Sequence, residues 1–272
     1  MDRRLTPANA RAALMTLRGK VDAATFTHGT PASITAPLVD LCASPAGPRD
    51  RQLLLGEAVT VIDRHDGWAF LQAAKDGYCG YVPEAALGPA ESATHWVARP
   101  ASHLYPEPRV QAPAFAAITL GARVRVTADH GKFLETPQGF IPTPHLRGIG
   151  NWFTDPVTVA ESLLGTPYLW GGNSRAGIDC SGLTQISFLA CGRTCPGDSD
   201  LQQTLGAPIA EDTPLQRGDL LFWKGHVAQV VDATRLIHAN GHTMSTNYED
   251  IAACIARILS QGAGPVTARR RP

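Results

Sequence analysis

One cysteine of the sequence is placed where chemistry is easier to explain than packing. Within "GTPYLWGGNSRAGIDCSGLTQISF" (Gly165 to Phe188), Cys180 stands between an aspartate and a serine, after a Gly-rich loop and before a run with helical spacing. A structural thiol belongs inside an apolar pattern; this one opens the pattern. If "CSGLTQISF" is a helix, Cys180 lies in its first turn, where unpaired N–H groups and the positive end of the helix dipole favour thiolate over thiol. A nucleophile needs a positioned base, and the base needs an orienting group. His226 opens "HVAQVV" after the turn "FWKG", and His238 sits in "RLIHANG". If those runs are adjacent antiparallel strands, their ends bring the two imidazoles together. Cys180 as nucleophile, His226 as base and His238 as orienter then form a Cys-His-His version of the triad. Taken singly, a cysteine at a helix start reads as structural and a strand histidine as a core residue. The conjunction of loop, "DCSG" turn and two strand histidines favours catalysis.

The elements that must position these residues follow from patterning. "PVTVAESLLG" has helical spacing with a glycine stop. "CSGLTQISFLACG" places Leu183, Ile186, Leu189 and Ala190 on one helix face. "GDLLFWKGHVAQVVDATRLIHANG" and "ACIARIL" read as a run of strands rich in Val, Ile and Phe, so a helix followed by an antiparallel sheet predicts an α+β domain. Ahead of it, two segments resemble each other: "LLLGEAVTVIDRHDGWAFLQAAKDGYCGYVPEAAL" and "ITLGARVRVTADHGKFLETPQGFIPTPHL". Each runs from Leu-Gly into an alternating strand, a polar turn with glycine, a short strand, and a closing Gly-aromatic-aliphatic-Pro with a terminal Leu. Period-two alternation with such close turns predicts small all-β barrels, and the repeat predicts two in tandem.

The expected layout is a partly helical arm over residues 1–32, β-barrels over 33–90 and 91–149, a catalytic domain over 150–265, and a solvated basic tail over 266–272. At 272 residues the chain is long enough for such a multidomain arrangement. Equal numbers of acidic and basic residues, 24 of each, point to neither nucleic acid nor an anionic membrane as partner. The N-terminus lacks an uninterrupted apolar core of the kind a signal peptide carries, no run is long enough to span a bilayer, and a cytoplasmic protein is expected. The six cysteines are scattered rather than framing a small fold. Cys191 and Cys195 have no second Cys or His pair at ligand spacing, so neither zinc nor any cofactor is expected. Oligomeric state leaves no mark in the sequence.

"GTPYLWGGNSRAGIDCSGLTQ", "GDLLFW", "HVAQVV" and "LIHANG" together resemble the successive motifs of the NlpC family of papain-like cysteine peptidases, and the two repeats resemble bacterial SH3 domains. The resemblance implies that Cys180 is the nucleophile, that His226 and His238 carry the base and its partner, and that Tyr168 assists at the oxyanion. It implies hydrolysis of murein peptides at the bond between γ-D-Glu and a diamino acid. One branch of that family, with two SH3 domains before the catalytic domain, recycles released peptides bearing a free N-terminal L-Ala. A free amine needs carboxylates and hydroxyls around it. Asp179 and Ser181 flank the nucleophile, "CPGDSDLQ" supplies Asp198 and Ser199, and Glu57 and Tyr78 match positions that close over the alanine in that branch. Gly197 departs from the pattern, standing where relatives tend to carry Arg. Asp198 and Ser199 also suit a helix N-cap, Glu57 a solvated strand turn and Tyr78 a barrel-closing aromatic. Trp170 is expected to pack the loop. The competing expectations are a peptide- or wall-binding SH3 protein with an inactive papain-like domain, and acyl transfer from the same acyl-enzyme to an amine.

Overall fold

The computed structural model describes residues 1–272 and divides into two compact units, Met1–Asn151 and Trp152–Pro272. In the first unit a seven-stranded antiparallel sheet runs in the order Arg49–Leu54, Leu38–Cys42, Cys79–Pro83, Trp68–Ala73, Ala58–His65, Thr30–Ile34, Leu87–Pro89. Its alternating apolar residues, among them Ile34, Leu41, Leu53, Val59, Leu71 and Val82, meet in one buried core. A bulge between Val61 and Asp63 breaks the alternation and turns Ile62 into a separate cluster with Ala12, Phe70 and Cys79.

Residues 95–148 of the same unit form three small antiparallel sheets around a second core containing Leu104, Ile118, Val124, Leu134, Ile141 and Leu146. Leu55, just past the Arg49–Leu54 strand, packs into that core, and its carbonyl accepts the Arg123 N–H at 2.8 Å. The Gly after it in the repeat is required: Gly56 has φ +73°, and a Cβ there would lie 1.9 Å from the Arg123 carbonyl oxygen. Before the Thr30–Ile34 strand, the N-terminal arm holds short 3₁₀ helices at Arg3–Leu5 and Met15–Leu17 and a short parallel pair, Ala12–Leu14 with Thr25–Thr27. Pro7 and the left-handed Gly19 leave no room for a longer helix.

The second unit contains helices α1 (Pro156–Glu161), α2 (Cys180–Leu189), α3 (Ser199–Gln202) and α4 (Ile251–Ser260). Its six-stranded antiparallel sheet runs Ala207–Pro208, Ala268–Arg271, Leu220–Trp223, His226–Val230, Arg235–Asn240, Ser245–Asp250. Three expectations need correction. First, α2 buries every residue from Cys180 to Phe188 rather than one face, with Leu189 only half-buried. It packs on α1 and on the sheet, and its polar side chains are satisfied inside: Ser187 donates to the Leu183 carbonyl and Gln185 to the Cys195 carbonyl. Second, "ACIARIL" is helical. Asp250 caps α4 by accepting the Ala253 N–H at 2.9 Å, and Ile251, Cys254, Ile255 and Ile258 recur at helical spacing over the sheet core. Third, the basic tail is not a free end: Ala268–Arg271 forms a strand between two others of the sheet, and Arg271 makes paired 2.8 Å contacts with Asp219, which is 1% exposed. No helix is long and apolar enough to cross a membrane.

Candidate active site

Asp179 organises the start of α2. Its extended backbone makes it the N-cap. One carboxylate oxygen accepts the Gly182 N–H at 2.6 Å and the Ser181 hydroxyl at 3.0 Å; the other accepts the Gly171 N–H at 2.9 Å. The Gly-rich loop is thereby stapled to the helix. The contact is tight enough that a Cβ on Gly182 would lie 2.4 Å from the Gly172 carbonyl oxygen. Tyr168 is held from the same loop, its N–H donating to the Met244 carbonyl at 2.9 Å.

Cys180 follows the cap, 6% exposed. Backbone N–H groups of Val227, Ser181 and Cys180 itself are turned towards its sulfur, and its thiol lies 3.9 Å from the Gly225 carbonyl. These contacts place it against both neighbours of His226. The N–H groups favour the thiolate, as the helix start suggested, but burial outweighs them: together with the nearby Asp179 charge it pushes the thiol up to about 12. Burial therefore works against the thiolate that the helix start favours at Cys180. The Tyr168 hydroxyl is also pushed up, by burial first and then by Cys180 and Asp179, so it stays a proton donor.

The adjacent strands His226–Val230 and Arg235–Asn240 bring the two histidines together, Nε2 of His226 lying 2.9 Å from Nδ1 of His238. Burial holds both imidazoles neutral, His226 down to about 3 and His238 down to about 4. Behind them stands a pair that the motif reading missed. Glu249 Oε2 lies 3.1 Å from Nε2 of His238, and Arg257 of α4 grips both oxygens of Glu249 at 2.8 and 2.7 Å. The signal was the strand register. His238 faces Asn247 across the sheet, which puts Glu249 on the diagonal of the same face. His238, Glu249 and Cys254 have metal-ligating atoms within 4.8 Å of one another, but the Arg257 guanidinium already supplies the cation there.

Asp198 stands at the N-cap position of α3, its side chain making no cap hydrogen bond, and Ser199 is buried in the first turn. Gln202 donates from the same short helix to the Ser181 carbonyl at 2.9 Å, so this segment is brought to the start of α2. Trp170, expected to pack the loop, is 69% exposed instead. In the first unit, Glu57 is 8% exposed, with one oxygen 2.7 Å from Lys75 Nζ and the other buried without a hydrogen-bond partner. Burial pushes that carboxyl up while Lys75 opposes the shift. Tyr78 is 2% exposed in the core of the seven-stranded sheet, with the Arg51 guanidinium 5.9 Å from its ring centre.

The NlpC/P60 family pattern matches residues 165–259, and that of the bacterial dipeptidyl-peptidase SH3 domain matches residues 41–87. A γ-D-glutamyl-L-lysine dipeptidyl-peptidase of Bacillus cereus is 28% identical over 234 residues, 71% of this chain and 68% of that one. Its namesake in Bacillus subtilis is 28% identical over 214 residues, 69% of this chain and 71% of that one. Dipeptidyl-peptidase 6 of Lysinibacillus sphaericus is 42% identical over 98 residues, 35% of each chain. Among solved structures, an NlpC/P60 family protein from Bacillus cereus aligns over 89% of this chain and 99% of its own, with a TM-score of 0.75 at 22% identity, a likeness of fold.

Proposed function

We infer that this chain, which belongs to the NlpC/P60 family through residues 165–259, is a cysteine endopeptidase that cleaves cell-wall peptides at the bond between γ-D-Glu and a diamino acid. The observation that carries the reading is the pair of neutral, hydrogen-bonded imidazoles beside a thiol at a capped helix start. Burial disfavours a free thiolate, and attack and proton transfer go together. Sγ bonds to the scissile carbonyl carbon as its proton passes to His226. The oxyanion is met by backbone N–H groups at the start of α2 and by the Tyr168 hydroxyl. His226 then protonates the departing amine, leaving a thioester. Water, giving its proton to His226, breaks the thioester and restores the thiol. His238 accepts from His226 throughout and stabilises the transient imidazolium.

The finer reading concerns the substrate. We propose a peptide already released from the wall and carrying a free N-terminal L-Ala, as in cytoplasmic recycling. Support comes from Glu57, whose buried second oxygen is what a ligand ammonium would satisfy; Tyr78, Asp198 and Ser199 are proposed as substrate-binding residues on the family resemblance. Asp179 and Ser181 serve that site indirectly, since they are bonded to each other and to the loop. Residues 91–149 are proposed as a second SH3-like barrel, on the strength of the repeat and its own core. Mass spectrometry of the products from L-Ala-γ-D-Glu-diaminopimelate tests this. L-Ala-D-Glu and free diaminopimelate are expected, with a sharp loss of turnover when the alanine is N-acetylated. Cleavage elsewhere overturns the bond assignment, and equal cleavage of the blocked peptide overturns the amine site.

A further inference from the structure

A base at His226 requires one particular arrangement of protons. Its Nε2 is 2.9 Å from Nδ1 of His238, so Nδ1 is the ring nitrogen left for the thiol. For Nδ1 to accept the thiol proton, the proton of neutral His226 must sit on Nε2 and be donated to His238. His238 must then accept at Nδ1 and carry its own proton on Nε2. The opposite arrangement gives His226 an N–H facing the thiol and no lone pair to serve as base. The two tautomers of an isolated imidazole are close in energy, so the arrangement needs a cause.

We propose that Glu249, clamped by Arg257, is a positioning residue that selects this arrangement by drawing the proton of His238 onto Nε2. His238 is buried at 1% exposure, and its Nε2 is 3.1 Å from Glu249 Oε2, an oblique approach that makes no aligned hydrogen bond at rest. A lone pair on Nε2 would face carboxylate lone pairs in a site of low polarity; a proton there faces an acceptor instead. Arg257 fixes the carboxylate by two hydrogen bonds and, with Gln261 accepting its remaining Nη1 at 3.1 Å, is itself held along α4. That grip also holds the Glu249 carboxyl down at about 2, so it remains an acceptor at any pH at which the protein works.

The other charges around His238 act against a proton moving further. Arg257 and His242 both disfavour a positive His238, while Glu249 favours it. During attack the thiol proton therefore stops on Nδ1 of His226, and Glu249 stabilises the resulting cation through His238 without taking a proton. Arg257 Nη2 also donates to the Cys254 sulfur at 3.7 Å, so this thiol is a further contact of the clamp.

The proposal rests on the peptidase reading for its consequence, though not for its test. Two-bond ¹H–¹⁵N correlation spectra of the full-length labelled protein near neutral pH should show His238 protonated on Nε2 and His226 protonated on Nε2. In Glu249→Gln, His238 should shift towards the Nδ1–H form, and kcat should fall by about 10- to 100-fold, the size seen when a group behind a catalytic ligand is removed, with KM little changed. An Nδ1–H His238 in the unaltered protein overturns the proposal. So does Glu249→Gln with undiminished kcat. Should that variant misfold, the spectrum of the unaltered protein decides. Failure of the peptidase reading would look different: the tautomers as described, with no peptide cut by the unaltered protein.

Discussion

Two helices of the second unit begin in nearly the same way. α2 and α4 are each capped by an aspartate whose side chain accepts the third N–H beyond it, and each has a buried cysteine within its first four residues. Burial pushes both thiols, Cys180 and Cys254, up to about 12. Helix position and acidity therefore do not separate a nucleophile from a core thiol. Surroundings do. Cys180 has three backbone N–H groups turned to its sulfur and a neutral imidazole strand beside it. Cys254 is 0% exposed, packed with Leu221, Trp223 and Ile258, and faces a carboxylate and a guanidinium that are already paired. On the proposed reading Cys180 attacks because His226 is unengaged on the side facing it, whereas the carboxylate beside Cys254 is already held by Arg257.

The comparison can be broken at several points. His226→Ala removes the base and should reduce kcat by on the order of 10⁵-fold, read from single-turnover hydrolysis of the tripeptide. His238→Ala leaves the base but not its orientation, and about 10²- to 10⁴-fold is expected. Asp179→Ala loosens the cap and the loop together. Its melting curve should show a loss of about 1–2 kcal/mol, with turnover reduced as Tyr168 and the helix start separate. Cys254→Ala should cost about 1 kcal/mol from a small cavity and retain turnover, whereas a loss as large as that for His238→Ala would erase the distinction between the two helices.

Acid should act through the same histidines. Their folded values, about 3 and about 4, lie below the usual 6.5. Protonation thus favours the unfolded chain: the stabilisation is complete above about 6.5 and is lost as pH falls towards those values. The melting temperature should drop over that interval, and the drop should be smaller in His226→Ala.

Much of the site was readable because motif spacing carries it. The cysteine at a coil-to-helix junction and two histidines on successive strands imply their own geometry once the strands pair, and Asp179 reads as a cap from its type and place. What escaped depends on facts that spacing does not hold. Glu249 reaches His238 only through the register of the Ser245–Asp250 strand, and Arg257 only because "ACIARIL" is a helix. That segment was misread as a strand because its isoleucines suit a sheet; their three- and four-residue recurrence after Asp250 is the better guide. The burial of α2 on all sides, and the place of the arginine-rich last strand within the sheet, come from neighbours distant in sequence. The upward shift of the Cys180 thiol has the same origin: a helix start is visible in one dimension, whereas the protein packed over it is not.

The account stands most directly on the hydrolysis rate of Cys180→Ala with L-Ala-γ-D-Glu-diaminopimelate, measured on protein whose melting curve shows it folded. Release of diaminopimelate no faster than in the absence of protein is predicted. Release near the unaltered rate would contradict it.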